Sequence, residues 1–286
     1  METALQSYAM VGDLKMYYEI SGNPDGEWLI LLHGIAGSTR CWKYQIDDFN
    51  KHFKVLKLDL VGHGKTTPSD CKKYSGVIIA NHIRLLMDEL GIGKAHILGL
   101  SLGTVVQQYF CELFPERIIS LIFASPACNL SRSFRIMNRF AEKVLFKIFG
   151  KDFYLKMIGK TMLPGKVHEK SRKFFIQETV KMDDTEFLKW WKVGLQGDHY
   201  FYLSQREVPT LIVVGSKDFF FYDDAVSLKD KYINSDFRVI KGAGHVFIFE
   251  KGAAQQFNQM VVDFTDSLKI ERQREYLESD NDTMIA

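Results

Sequence analysis

Three residues in this chain have the types that together make a nucleophile. Ser101 lies between two glycines in GLSLG, Gly99–Gly103. Asp218 closes the apolar run LIVVGSKD, and His245 follows two glycines in KGAGHVFIFE. A serine hydroxyl attacks poorly until a base takes its proton. A histidine can be that base, and a buried carboxylate can hold its tautomer and stabilise its charged form. The chain order is Ser, Asp, His, one of the orders in which this triad recurs. The glycine-bracketed serine alone decides little: at ordinary Gly and Ser usage of about 7% each, a chain this long holds the pattern by chance roughly one time in ten. Its context has to decide.

Ser101 lies where two kinds of sequence meet. KAHILGL before it is a short apolar run, the signature of a buried parallel strand. LGTVVQQYFCELFPERI after it has helical periodicity, with Val105, Tyr109 and Leu113, joined by Val106 and Phe110, as its apolar stripe. Strand, tight turn and helix is the setting a nucleophile elbow requires, and Gly99 and Gly103 give the helix room to approach the strand. The alternation recurs. EWLILLHG, FKVLKLDLVGHG, IISLIFASP, PTLIVVGSKD and FRVIKGAGH read as strands, and SGVIIANHIRLLMDELGI as a helix. Near-continuous apolar strands separated by helices indicate a mostly parallel sheet covered on both faces. The opening LKMYYEISGNPDGEWLILL, two runs around a Gly/Asn/Pro/Asp turn, reads as an antiparallel hairpin at the sheet edge.

In such a sheet ligands bind beyond the carboxyl ends of the strands, where Ser101, Asp218 and His245 all fall. A fourth strand end, LLHGIAGS, has Gly34 and Gly37 to turn a loop back toward the serine. Acyl transfer needs donors aimed at the developing oxyanion. The backbone N–H of Leu102, in the first turn of the elbow helix, is one, and that of Ile35 is the second. His33 reads as a structural support of this loop. Asp59 and His63 belong to a turn that shapes the sheet and receive no chemistry. Asp223 and Asp224 have the alternative role of capping the next helix. Trp42 either lines the pocket or packs behind the first loop.

Composition narrows the classes. The 286 residues carry a net charge of +2, which gives no case for nucleic-acid binding. Cys41, Cys71, Cys111 and Cys128 have no metal or redox spacing, so neither a metal nor another cofactor is expected. No apolar stretch reaches the length of a membrane span and no signal segment opens the chain, so a cytoplasmic protein is expected. Residues 129–206 break the strand–helix alternation. They hold 16 Lys/Arg against 8 Asp/Glu, a net of +8, which leaves the remainder at −6. This reads as a helical cap inserted into a core made of 1–128 and 207–286. Within it Arg132, Arg135, Arg139, Lys143, Lys147 and Lys151 recur at three and four residues, a cationic helix face. That face is either simply solvated, or attracts an anionic substrate, or makes weak contact with an anionic membrane surface. Phe134 and Phe140, with Trp190 and Trp191, are candidates for an apolar acyl pocket. A small-molecule substrate is the expected partner, and monomer and homodimer both stay open.

HGIAGS, DLVGHGKT, GLSLG, and GSKD with GAGH occur in this order, each at a strand end. In this the chain resembles the α/β-hydrolase superfamily, in the capped branch of small esterases, lactonases and C–C bond hydrolases. The resemblance spans nearly the whole chain apart from the cap. It implies an α/β-hydrolase fold: a mostly parallel sheet flanked by helices, with an inserted helical cap. It implies Ser101 as nucleophile, Asp218 as acid and His245 as base, with the Ile35 amide in the oxyanion site. Relatives with an aspartate nucleophile, the haloalkane dehalogenases and epoxide hydrolases, are disfavoured by Ser101, and the basic cap argues against iminopeptidases. Thr104 stands where the family often has a second glycine, so slightly looser helix packing is expected. The activity so implied is hydrolysis of a small or medium carboxylic ester with an apolar acyl part. C–C bond hydrolysis of a diketone-like substrate, or lactone hydrolysis, is the alternative, and a non-catalytic ligand-binding role the least favoured.

Overall fold

The computed structural model describes residues 5–128, 136, 144, 147–163, 165–166, 168–195 and 204–285. The apolar runs form one eight-stranded sheet. Its strands are β1 (Leu5–Val11), β2 (Leu14–Gly22), β3 (Trp28–Leu32), β4 (Lys54–Leu58), β5 (Ala95–Leu100), β6 (Ile118–Ala124), β7 (Thr210–Gly215) and β8 (Ser235–Ile240), in the spatial order β1-β2-β4-β3-β5-β6-β7-β8. From β4 to β8 every neighbouring pair is parallel, and β1 and β2 are antiparallel. The edge hairpin is therefore not the one expected. β2 does not pair with β3; it pairs with β1 across Gly12 and Asp13, and with β4 on its other side. β3 is apolar and buried, and both its neighbours, β4 and β5, run parallel to it.

Alternating side chains divide the core between the two faces of the sheet. Ile30, Leu32, Leu56, Ile97, Phe123 and Ile212 pack on one side with helices α1 (Gly76–Glu89) and α2 (Leu102–Leu113). Leu29, Leu31, Val55, Leu98, Ile122 and Val213 pack on the other, where Phe257 and Val261 of the C-terminal helix cover them. The stripe that α2 buries runs through Val105, Val106 and Phe110, whereas Leu113 is 40% exposed, because the helix turns its last residue away from the sheet. Between β6 and β7 the described residues form helices: α3 (Lys147–Met162), broken at Gly150, α4 (Glu169–Thr179) and α5 (Asp184–Leu195). This is the expected α/β architecture with a helical cap region inserted. Among the described residues no helix is long and apolar enough to cross a membrane.

The elbow depends on close packing. A Cβ at Gly103 would lie 2.3 Å from the Leu32 carbonyl oxygen, and one at Gly99 2.8 Å from the Gly103 carbonyl carbon. Helix α2 thus touches the backbone of β3 and β5 directly. Thr104 does not loosen this contact. It is fully buried, its hydroxyl donates to Ser101 O at 2.5 Å, and it accepts from Ala127 N–H at 3.0 Å, which ties the elbow to the end of β6. Gly103→Ala should therefore destabilise the protein by about 1–3 kcal/mol, the usual cost of overpacking. It should lower the urea midpoint at constant m-value; an unchanged midpoint would show that the helix can retreat from β3 at no cost.

Candidate active site

Ser101 is the residue between β5 and α2, held at φ 50° and ψ −115°. A non-glycine residue in this region is strained, and such strain persists only where the surroundings over-determine it. Here they do: Ser101 N–H donates to Ala124 O at 3.0 Å, and its carbonyl accepts from Thr104 N–H at 2.9 Å. The turn leaves the hydroxyl partly accessible at the carboxyl edge of the sheet. His245 Nε2 lies 2.8 Å from Ser101 Oγ, and His245 Nδ1 lies 2.8 Å from Asp218 Oδ2. The last bond places the imidazole proton on Nδ1 and leaves Nε2 free to accept from the serine. Asp218 and His245 are both almost fully buried, and Phe221 stacks on the imidazole at 4.3 Å between ring centres. Of the three nearby aspartates, Asp218 meets the histidine. Asp224 instead accepts from Cys128 N–H, and Asp223 is exposed in the first turn of the following helix.

The loop after β3 runs beside the serine. Gly34 and Ile35 line the same cavity as Ser101 and His245, and Leu102 is the first residue of α2, whose leading N–H groups have no partner within the helix. Two histidines support this loop. Leu60 N–H donates to His33 Nε2 at 3.0 Å, so His33 carries its proton on Nδ1 and donates it to Gly34 O at 2.8 Å. Ala36 N–H donates to His63 Nε2 at 2.9 Å. Burial pushes both imidazoles toward the neutral form, His63 well below its ordinary value. Asp59 secures the next segment, accepting from Thr39 N–H at 2.6 Å and Lys65 N–H at 2.8 Å.

The cleft above Ser101 is mainly apolar, walled by Phe174 and Phe175 of α4 and by Val246 and Phe249 after β8. The sequence reading places none of these in the pocket; the pair Phe174–Phe175 in KSRKFFIQE is the signal that points to this wall. Glu178, one turn further along α4, also reaches this wall, where it pairs with Arg40 at 3.3 Å and Lys181 at 2.7 Å. The expected pocket tryptophans lie elsewhere. Trp42 is fully buried in the core behind the first loop. Trp190 donates from Nε1 to Val61 O at 2.8 Å and packs on His63, and Trp191 stacks on Phe187. All three anchor elements to one another instead of lining the cavity, because their large apolar rings are taken up by the seams between loop, cap and core. Phe134 and Phe140, and Arg132, Arg135, Arg139 and Lys143 of the basic face, lie outside the described residues. Among the described residues no group of three or more His, Cys, Asp or Glu side chains is arranged to hold a metal ion.

The model for the alpha/beta hydrolase fold matches residues 27–156. An uncharacterized carboxylesterase, nap, of Bacillus subtilis (strain 168) is 26% identical over 251 residues, covering 81% of this chain and 77% of that protein. A 2-hydroxy-6-oxo-6-phenylhexa-2,4-dienoate hydrolase of Comamonas testosteroni is 25% identical over 267 residues, covering 89% and 92%. Among solved structures, the enol-lactonase of Burkholderia xenovorans LB400 superimposes with a TM-score of 0.80 at 20% identity, covering 91% of this chain and 99% of that one. The chain has the α/β-hydrolase fold, as its resemblance to that superfamily implies.

Cys41 shares the cavity with Ser101 and carries a thiol that could act as a nucleophile. Burial pushes its thiol up to about 12, so almost none of it is thiolate at neutral pH. Of the four free cysteines only Cys71 is exposed. A native-state Ellman titration should therefore read about one thiol, rising to four in denaturant. Rapid native modification of Cys41, located by peptide mass spectrometry, would contradict this account.

Proposed function

We propose that this protein is a serine hydrolase of small organic carbonyl compounds, with Ser101 as nucleophile, His245 as general base and acid, and Asp218 as the carboxylate that orients the imidazole. The observation that carries the reading is the pair of 2.8 Å contacts linking Ser101 Oγ, His245 and Asp218 at a strained turn that opens on an apolar cavity. In this mechanism His245 Nε2 takes the hydroxyl proton as Ser101 attacks the substrate carbonyl. The backbone N–H groups of Ile35 and Leu102 hold the oxyanion, worth roughly 10²–10³ in rate per donor. The tetrahedral species collapses as the leaving group takes the proton from His245. Water, activated by the same imidazole, then releases the acid from Ser101. Residues 129–206 act as the cap that closes the acyl side of the site, with Phe174 and Phe175 as its contribution.

The bond cleaved is the finer question. We favour a carbon–carbon bond flanked by carbonyls, in which the leaving group is an enol carbon that accepts a proton. Support comes from the named dienoate hydrolase, which aligns over almost its whole length. A related hydrolase of Burkholderia vietnamiensis, named for 2-hydroxy-6-oxononadienedioate and 2-hydroxy-6-oxononatrienedioate, covers 92% of this chain. Ester or lactone hydrolysis by the same three side chains is the second reading, favoured by the carboxylesterase relative and by the likeness to the enol-lactonase.

A panel of vinylogous diketones, lactones and short acyl esters separates the two. Diketone cleavage should exceed ester turnover, and the opposite ranking would move the assignment to the ester. On the best substrate Ser101→Ala should lower kcat by about 10⁶-fold and Asp218→Asn by about 10⁴-fold, as in other triads; a Ser101→Ala enzyme with undiminished turnover would reject the mechanism. Phe175→Ala should widen the cavity and shift preference toward bulkier acyl groups, read as a changed ratio of kcat/KM across a homologous acyl series.

A further inference from the structure

We infer that His63 is a positioning residue for the oxyanion site, and that cap helix α5 reaches the same site through it. The inference rests on the reading of Ser101 as nucleophile and of the Ile35 N–H as oxyanion donor. That N–H belongs to the peptide group whose carbonyl is Gly34 C=O. A trans peptide is rigid and planar, so fixing the carbonyl fixes the direction of the N–H on the opposite side. Gly34 O accepts from His33 Nδ1 at 2.8 Å and from Gly37 N–H at 3.0 Å. The next peptide group carries Ala36 N–H, and His63 Nε2 accepts from it at 2.9 Å. Two histidines thus hold two successive peptide planes, one on either side of the Ile35 Cα.

The second plane needs the help. Ala36 sits at φ 52°, in the left-handed region that a residue with a Cβ adopts at a cost, and its N–H is buried. Without an acceptor on His63 that N–H would be unsatisfied, and the loop would gain by relaxing toward an ordinary conformation that turns the Ile35 N–H away from the serine.

The His63 ring is itself located by the cap. Its Nδ1–H points to Val61 O at 3.2 Å. Trp190 of α5 donates to the same oxygen at 2.8 Å and packs its ring edge-on against His63 at 4.9 Å. Two further contacts hold α5 over this loop: Tyr74 donates to Glu186 at 2.5 Å, and Lys189 Nζ donates to Ser69 O at 3.4 Å. The cap therefore does more than wall the acyl cavity. It locates the imidazole that locates the oxyanion loop.

The test compares wild type with His63→Phe, which keeps a ring against Trp190 but has no acceptor, and His63→Gln, which restores one. The readouts are kcat, KM, the affinity of an alkyl boronic acid that forms a tetrahedral adduct on Ser101, and melting temperature. His63→Phe should lose about 10–100-fold in kcat with KM within a factor of two, less than or equal to the loss of a whole oxyanion donor. Boronate affinity should fall by the same factor, and His63→Gln should recover most of both. A merely structural residue would lower the melting temperature and leave kcat of the folded fraction unchanged; that result, or no recovery in His63→Gln, would overturn the inference. If His63→Phe does not fold, His63→Asn, whose shorter amide falls short of Ala36, should show the same selective kcat loss, and wild-type kcat in that variant would overturn it instead. A fluorophosphonate probe separates this inference from the reading beneath it. Wild type that never labels at Ser101 rejects the serine mechanism and His63's role with it, whereas wild type and His63→Phe that label equally fast reject His63's role alone.

Discussion

The backbone-to-backbone contact between helix α2 and strand β3 is the constraint on which the rest of the site depends. With no side chain at Gly103, the helix axis comes close enough for the Leu32 carbonyl to occupy the space a Cβ would need. That proximity shortens the path from β5 to α2 to a single residue, Ser101, and forces it to φ 50°. The strain is the geometric result of a strand and a helix meeting too closely for an ordinary turn. It is held by fully buried groups: Gln107 bonds Ile97 O and Thr104 bonds Ala127 N–H. The hydroxyl gains exposure, and the N-terminal end of α2 points its unbonded N–H groups toward the same place.

Around this elbow the protein uses buried polar groups as braces. His33, His63 and Asp59 are almost fully buried, and each is satisfied by backbone groups of the loops that follow β3 and β4. Burying such groups without partners costs several kcal/mol, so each bond also selects one loop conformation against others that would leave it unmade. Both histidines accept through Nε2, a role only the neutral ring can fill, and burial keeps them in that form. Imidazole chemistry appears twice at this site with opposite requirements. In the proposed mechanism His245, 2.8 Å from Ser101 Oγ, exchanges a proton with it, and the loop histidines sit where protonation would break the bonds they make.

The cap meets the core in two ways. Helix α5 is fixed by directional bonds, Trp190 to Val61 and Tyr74 to Glu186, onto the loop after β4 and the start of α1. Helix α4 presents apolar surface to the rim of the site, where Phe174 packs edge-on against Phe249 at 5.0 Å and Phe175 faces the cavity, and is tied at its ends by His168 to Glu250 and Glu178 to Arg40. Glu178, held by Arg40 and Lys181, marks the border between that apolar wall and the polar surface beyond Gly37. The division of labour is physical. Hydrogen bonds fix orientation, and dispersion contacts tolerate sliding, so the surface that meets the acyl part can change while the braces stay fixed.

Local sequence determined the parallel sheet, the elbow and the placing of Ser101, Asp218 and His245 at strand ends, because those features reside in short runs. A buried strand is a continuous apolar stretch, a close helix–strand approach demands glycine, and a strand end marks where a side chain can meet a ligand. It did not determine strand pairing at the edge. The runs around Gly22–Gly26 are adjacent in sequence, yet β4 lies between β2 and β3, because pairing depends on segments that come later in the chain. Nor did it assign the tryptophans. Trp42, Trp190 and Trp191 look alike as large apolar residues near the site, and only packing decides that they fill seams while Phe174, Phe175 and Phe249 face the cavity. The role of His63 was invisible for the same reason. Its partner, the Ala36 N–H, is 27 residues away in sequence and is brought within 2.9 Å only when the loops after β3 and β4 fold over the same edge of the sheet.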